Sequence, residues 1–122
     1  MEVILWDKPK DGLDGQWLGK GRIAVTSFPG DLERTLRVAA HEAAHDITGA
    51  EHSETGPTPV EFWAAYDALL EALGLSADFA PWRQAPGFRE ARRGVDSRAV
   101  DEWAQAIRAA VRPAAHLSWF AG

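Results

Sequence analysis

The chain has 122 residues, of which 46% are hydrophobic and 25% charged, and its formal net charge is −5. We expect one domain over residues 1–122, and this composition excludes wholesale disorder. The absence of Cys excludes disulfides, thiol nucleophiles and Cys-ligated zinc. No apolar run approaches the roughly 20 residues of a membrane helix, and the N-terminus lacks the pattern of a signal peptide. We therefore predict a cytoplasmic protein without a membrane partner.

The charges are distributed unevenly along the chain. Residues 38–82 contain eight acids and no Lys or Arg, whereas residues 83–122 contain seven Arg and four acids. We interpret these segments as neutralising each other in the folded protein, with Arg89, Arg92 and Arg93 as a solvated, salt-bridging group. Alternatively, an acidic rim could concentrate a metal cation or a basic substrate. A nucleic-acid partner is not expected, because its binding surface would be basic.

The first third of the chain predicts a short antiparallel sheet. Residues 3–6 form an apolar run that is typical of a strand. Residues 16–18 and 22–27 flank a Gly-Lys-Gly turn of hairpin length. The strands precede every predicted helix, so the fold class is predicted to be α+β.

Three helices are predicted after the sheet. The first should have Asp31 as its N-cap and stop at Gly49, which can adopt the left-handed conformation of a helix end. The second should begin at residues 58–61, TPVE, which combine a capping box with Pro at the first helical position. The last should span residues 97–112 and end at Pro113.

The strongest motif, HEAAH, lies in the middle of the first predicted helix. His41 and His45 are one helical turn apart, so both imidazoles can reach a single Zn²⁺, and Glu42 can act as general base toward a water activated by the metal. The helical wheel places the histidines opposite the face expected to contact the core. That face comprises Leu36, Ala40, Ala43 and Ile47.

A catalytic zinc site needs a third protein ligand besides His41 and His45. His52 is the first choice, because the chain can turn back under the metal after the helix stop. Glu61 is the second choice, although it is also explained as the capping-box partner of Thr58. The other candidates are Glu51, Glu54 and His116.

The segment HEAAHDITGAEHSETGPTPVEFW resembles the zincin metallopeptidases, in particular the small SprT-like, YgjP-like and minigluzincin groups. The resemblance covers about residues 22–74. It implies zinc held by the histidines at 41, 45 and 52, Glu42 as the base, and Phe62-Trp63 as the aromatic pair of the following helix. It also implies that residues 22–27 form the edge strand that binds substrate by strand addition.

These observations predict a zinc-dependent metallopeptidase acting on a peptide or protein. The alternative is a non-proteolytic binding or regulatory protein that keeps the zincin fold and its zinc site. The small size of the chain favours that alternative, because few residues remain for a wall that holds substrate. Six Trp in 122 residues also favour it, and Trp82 and Trp119 lie outside the strongest helical patterns, although each Trp taken singly is better explained as fastening a loop to the core. A zinc site that only stabilises the fold is the third possibility, but such a site would have no use for Glu42. The sequence leaves the substrate's identity and the oligomeric state open.

Overall fold

The computed structural model describes the backbone of residues 1–49 and 59–121, and the side chains of residues 1–49 and 59–111. These parts form an α+β fold, as predicted. Its strands and α-helices are β1 (Glu2–Trp6), β2 (Gly15–Gly19), β3 (Arg22–Thr26), α1 (Leu32–Thr48), α2 (Val60–Ala72), α3 (Phe88–Arg93) and α4 (Ser97–Ala121).

The three strands form a mixed sheet in the order β1-β3-β2. β2 and β3 pair antiparallel through the predicted Gly19–Gly21 turn, in which both glycines have positive φ (116° and 79°). β1 pairs parallel with β3, so the expectation of a wholly antiparallel sheet was wrong for this strand. The eight residues 7–14 are long enough to carry the chain past the end of β3 to its far side.

This strand order also corrects the predicted substrate-binding edge. β3, at residues 22–26, is the central strand, and both of its sides are paired with neighbouring strands. It therefore has no free backbone edge to offer an added strand. Within the described sheet, β2 forms the edge on one side.

The helix α1 has the caps that the sequence predicts. The Asp31 side chain accepts a hydrogen bond from the Arg34 backbone N–H at 3.0 Å, which satisfies a donor that the first turn leaves open. Gly49 closes the helix in the left-handed conformation, with φ 68°, and its N–H donates to the His45 carbonyl.

The helix α1 lies in the centre of the fold and contacts β2, β3, α2 and α4. Four alanines of its middle turns are fully buried, and their small side chains let these elements approach closely. They are Ala39, Ala40, Ala43 and Ala44. The core around them is completed by larger side chains from β3, α2 and α4, notably Ile23, Phe62, Leu69, Trp103 and Ile107.

A buried group of charged and polar side chains joins α2 to the segment that follows it. Asp67, 2% exposed, accepts hydrogen bonds from the Trp82 indole and from the guanidinium groups of Arg83 and Arg92. Arg92 also pairs with Glu71 at 2.7 Å. The acidic middle and the Arg-rich end therefore meet here, as predicted, and Trp82 fixes a short 3-10 helix, Pro81–Gln84, to α2.

The last helix is longer than the sequence predicts. It continues through Pro113 to Ala121, so the expectation that Pro113 ends it was wrong. A proline inside a helix removes one backbone donor and crowds the carbonyl four residues earlier, but the alanines near it on both sides are strong helix formers and favour continuation. In the part of the chain that the structure describes, no helix combines the length and apolar character needed to cross a membrane.

Candidate metal centre

His41, Glu42 and His45 come together in the middle of α1. One ligand atom from each side chain, an imidazole nitrogen or a carboxylate oxygen, lies within 4.8 Å of the others. The spacing of the HEAAH motif therefore has the predicted effect, because residues three and four positions apart share a side of the helix, as Glu42 and His41 do relative to His45. This group can hold a metal ion, and its two imidazoles suit Zn²⁺ and several other divalent transition metals.

The site is more deeply buried than the helical wheel suggests. The predicted core face is confirmed, because Ala40 and Ala43 are fully buried and Leu36 and Ile47 pack against the core. The opposite side is buried as well, with His45 only 7% exposed and Glu42 9%. The wheel assumed one apolar face against the core, but neighbouring elements surround the helix on several sides.

Aromatic rings from α2 and β2 enclose the two imidazoles. The Phe62 ring centroid lies 5.0 Å from that of His41 and 4.6 Å from that of His45. The Trp17 indole stacks on His45 at 6.3 Å with an interplanar angle of 12°. Trp63, the other half of the predicted aromatic pair, instead stacks on Trp82 at 5.2 Å. Phe62 alone of that pair therefore contacts the histidines.

The pKa of Glu42 lies well above the ordinary range of a glutamate. Burial raises the pKa of its carboxyl to about 7, although a hydrogen bond from the Trp17 backbone amide opposes the rise. A carboxylate with a pKa near neutrality can accept a proton and release it again at physiological pH.

A cleft of about 620 Å³ opens beside His41 and Glu42. Its walls are the N-terminal half of α1, the segment around Gly15 at the start of β2, and Tyr66 of α2. Burial raises the pKa of the Tyr66 hydroxyl, and Arg37, one helical turn before His41, opposes the rise. The cleft therefore places a strand edge, a titratable carboxylate and one imidazole around the same space.

Gly15 allows β2 to lie directly against the site. A Cβ atom at this position would be 2.8 Å from Val38 Cγ1, 2.9 Å from the Ala24 carbonyl oxygen and 3.1 Å from Glu42 Cγ. Any larger residue would therefore force β2 away from α1.

Sequence reasoning missed four residues around the site: Gly15, Trp17, Asp46 and Tyr66. Two signals could have indicated some of them. Gly15 and Trp17 are two residues apart on β2 and therefore lie on the same face of the strand. Tyr66 is four residues after Phe62 and lies on the same side of α2. No local signal marks Asp46, whose partners are remote in sequence.

The third ligand remains a prediction. His52, the first choice, lies outside the described residues, as do Glu51 and Glu54, and the side chain of His116 is also outside them. Glu61, the second choice, is exposed and does not belong to the group formed by the two histidines and Glu42.

Comparisons with known proteins gave no match: no protein-family model, no curated protein and no solved structure is significantly similar to this chain.

Proposed function

We propose that this protein is a zinc-dependent peptidase that hydrolyses peptide bonds in a peptide or protein substrate. The observation that carries the proposal is the convergence of His41, Glu42 and His45 within 4.8 Å, beside a cleft bordered by β2. Two histidines and a glutamate in this order on a helix are the arrangement that zinc peptidases use.

His41 and His45 would hold the ion, with His52 as the predicted third ligand. When bound, zinc would supply Lewis-acid polarisation of the scissile carbonyl and activation of a water molecule. The donor set fits this role, because neutral imidazole is a common zinc ligand and the site is largely shielded from solvent.

Glu42 would move the proton. It would take a proton from the attacking water and deliver it to the departing amine. Gly15 lets β2 lie against this side chain, because a Cβ there would be 3.1 Å from Glu42 Cγ.

The β2 edge would bind the substrate backbone. Alternate residues of an edge strand direct their N–H and C=O groups away from the sheet, and an extended peptide can pair with those groups. Because Gly15 lines the same cleft as Glu42, a peptide on this edge would pass the catalytic carboxylate.

Metal content and peptidase activity of wild type and Glu42→Gln test the proposal. We expect about one zinc per chain in both proteins and cleavage of an unfolded, fluorescence-quenched protein substrate by the wild type. Glu42→Gln should lose activity by roughly 10²–10⁴-fold, the usual contribution of a general base. Glu90→Gln, on exposed α3, is the matched control and should keep full activity.

Two results would contradict the proposal: a wild type that binds no zinc after reconstitution, or full turnover by Glu42→Gln. His52→Ala tests the ligand set separately. Weaker zinc binding in this variant would support three histidine ligands, whereas unchanged binding would transfer the role to another residue.

A non-proteolytic binding module is the second candidate. It is favoured by the enclosure of His45 between Trp17 and Phe62, which limits the space for a substrate beside this ligand while leaving the zinc site intact. Stoichiometric zinc without cleavage of a broad peptide mixture would support this module over the peptidase.

A further inference from the structure

Trp17 contacts the metal centre, although it lies on a different element. Its indole ring stacks on the imidazole of His45, with the ring centroids 6.3 Å apart. The strand that carries it also lies against Glu42, because a Cβ at Gly15 would be 3.1 Å from Glu42 Cγ. One side chain of β2 therefore contacts a proposed metal ligand, beside the proposed base.

The indole of Trp17 is itself held in place by Asp46. Trp17 Nε1–H donates to Asp46 Oδ1 at 3.0 Å, and the Gly21 N–H donates to the same oxygen at 2.6 Å. The second oxygen, Oδ2, accepts from Trp103 Nε1–H at 2.9 Å. Donors from the β2–β3 hairpin and from α4 thus fix the carboxylate, which directly follows His45 in the sequence.

We propose that Trp17 is a positioning residue of the metal centre and that Asp46 sets the orientation of its indole. The stacked ring restricts rotation of the His45 imidazole. Partners behind the ligands of a metal site orient those ligands and commonly change metal affinity 10–100-fold when they are removed. The inference rests on the proposed function in that His45 is a metal ligand.

Cobalt binding to the whole chain tests the proposal, because the visible absorption of Co²⁺ reports the geometry of its ligands without any need for turnover. The variants are Trp17→Leu, which removes the ring, Trp17→Phe, which keeps a ring without the N–H, and Asp46→Asn. Trp6→Phe is the control, because Trp6 is also on the sheet but lies beside Lys10. Circular dichroism of each metal-free variant checks that it folds.

We expect Trp17→Leu to bind Co²⁺ about 10–100-fold more weakly, with an altered spectrum. Trp17→Phe should recover part of the affinity, because a ring can still stack on His45. Asp46→Asn should alter the spectrum of bound Co²⁺ even though the indole ring of Trp17 is still present. Peptidase activity should fall mainly in kcat rather than KM, because substrate would bind to the unchanged backbone of β2.

Wild-type affinity and spectrum in folded Trp17→Leu would overturn the inference. If that variant does not fold, unchanged spectra in both Trp17→Phe and Asp46→Asn would overturn it instead. In these cases the proposed peptidase still stands, provided that the wild type binds metal and cleaves substrate. Failure of the wild type to bind Co²⁺ or Zn²⁺ would overturn both proposals.

Discussion

Glu42 and Asp67 are two buried carboxylates on packed helices, and their surroundings shift their pKa values in opposite directions. Burial alone would raise the pKa of Asp67, but hydrogen bonds from Arg83, Trp82 and Arg92 outweigh it and lower the pKa. Asp67 therefore stays ionised and joins α2 to the segment that follows it.

Glu42 is also buried, but no cationic hydrogen-bond donor compensates for its burial within the described residues. Its carboxylate accepts a hydrogen bond from the Trp17 amide, and within the described residues no ion pair involves it. Burial consequently dominates and raises its pKa to about 7. The comparison shows how one small fold gives one carboxylate a structural role while another keeps a proton that it can exchange near neutral pH.

Removing the charge of Asp67 should have the largest effect on stability. Asp67→Asn leaves two guanidinium groups without their buried partner, and we expect the free energy of unfolding to fall by about 3 kcal/mol. The exposed Asp78 pairs with the same Arg83 at 3.7 Å, so Asp78→Asn is the matched control and should cost less than about 0.5 kcal/mol. Urea unfolding measures both, and equal losses would contradict a structural role for Asp67.

The lowered pKa of Asp67 also determines the pH range in which this carboxylate contributes to the free energy of unfolding. An ionised Asp67 stabilises the fold fully above the carboxyl's ordinary pKa of 3.8, and the contribution is lost as the pH falls through the lower, folded-state value. The difference between wild type and Asp67→Asn should therefore be constant from pH 5 to 7 and shrink below pH 3.8.

Glu42→Gln should increase the free energy of unfolding of the metal-free protein, whereas Asp67→Asn lowers it. Because the pKa is about 7 in the fold and 4.5 in an unfolded chain, the folded state binds more protons between these values. Wild-type stability therefore falls as the pH rises from 4.5 to 7. Gln removes this penalty, so the variant should be more stable than wild type by about 2–3 kcal/mol at pH 8.5 and by much less at pH 5.

Thermal or urea unfolding in the presence of a chelator measures this difference at each pH. Glu90→Gln is the control and should show no such pH dependence. A pH-independent effect of Glu42→Gln would contradict the raised pKa.

Gly15→Ala should have the smallest effect on stability but should disturb the environment of Glu42. The added methyl group would overlap with Val38 and with the Ala24 carbonyl oxygen, so we expect a loss of about 1–3 kcal/mol. By displacing β2, it should also lower the peptidase activity. Gly94→Ala is the control, because a Cβ there meets its nearest atom at an ordinary 3.6 Å. Equal stability and activity in the two variants would contradict close packing of β2 on α1.

The features that could be predicted from the sequence are those set by neighbouring residues. Asp31 and Gly49 bound α1 as expected, because a side-chain cap and a left-handed glycine act within one helical turn. The convergence of His41, Glu42 and His45 followed from helical spacing alone.

The features that could not be predicted depend on contacts between distant residues. Nothing local reveals that β1 pairs parallel with β3, or that β2 rather than β3 forms an edge beside the site. The wheel of α1 predicts its core face but not the burial of His45, because that burial depends on Trp17 and Phe62 from other elements.

Asp46 also determines when the metal centre can be completed during protein synthesis. The ribosome delivers the HEAAH motif before α4, because Trp103, which donates to Asp46, follows 57 residues after Asp46. The carboxylate beside His45 therefore has its full set of donors only after α4 has been made and has docked. A nascent chain without α4 lacks one of the donors that hold Asp46, so the surroundings of His45 are completed late in the folding of this domain.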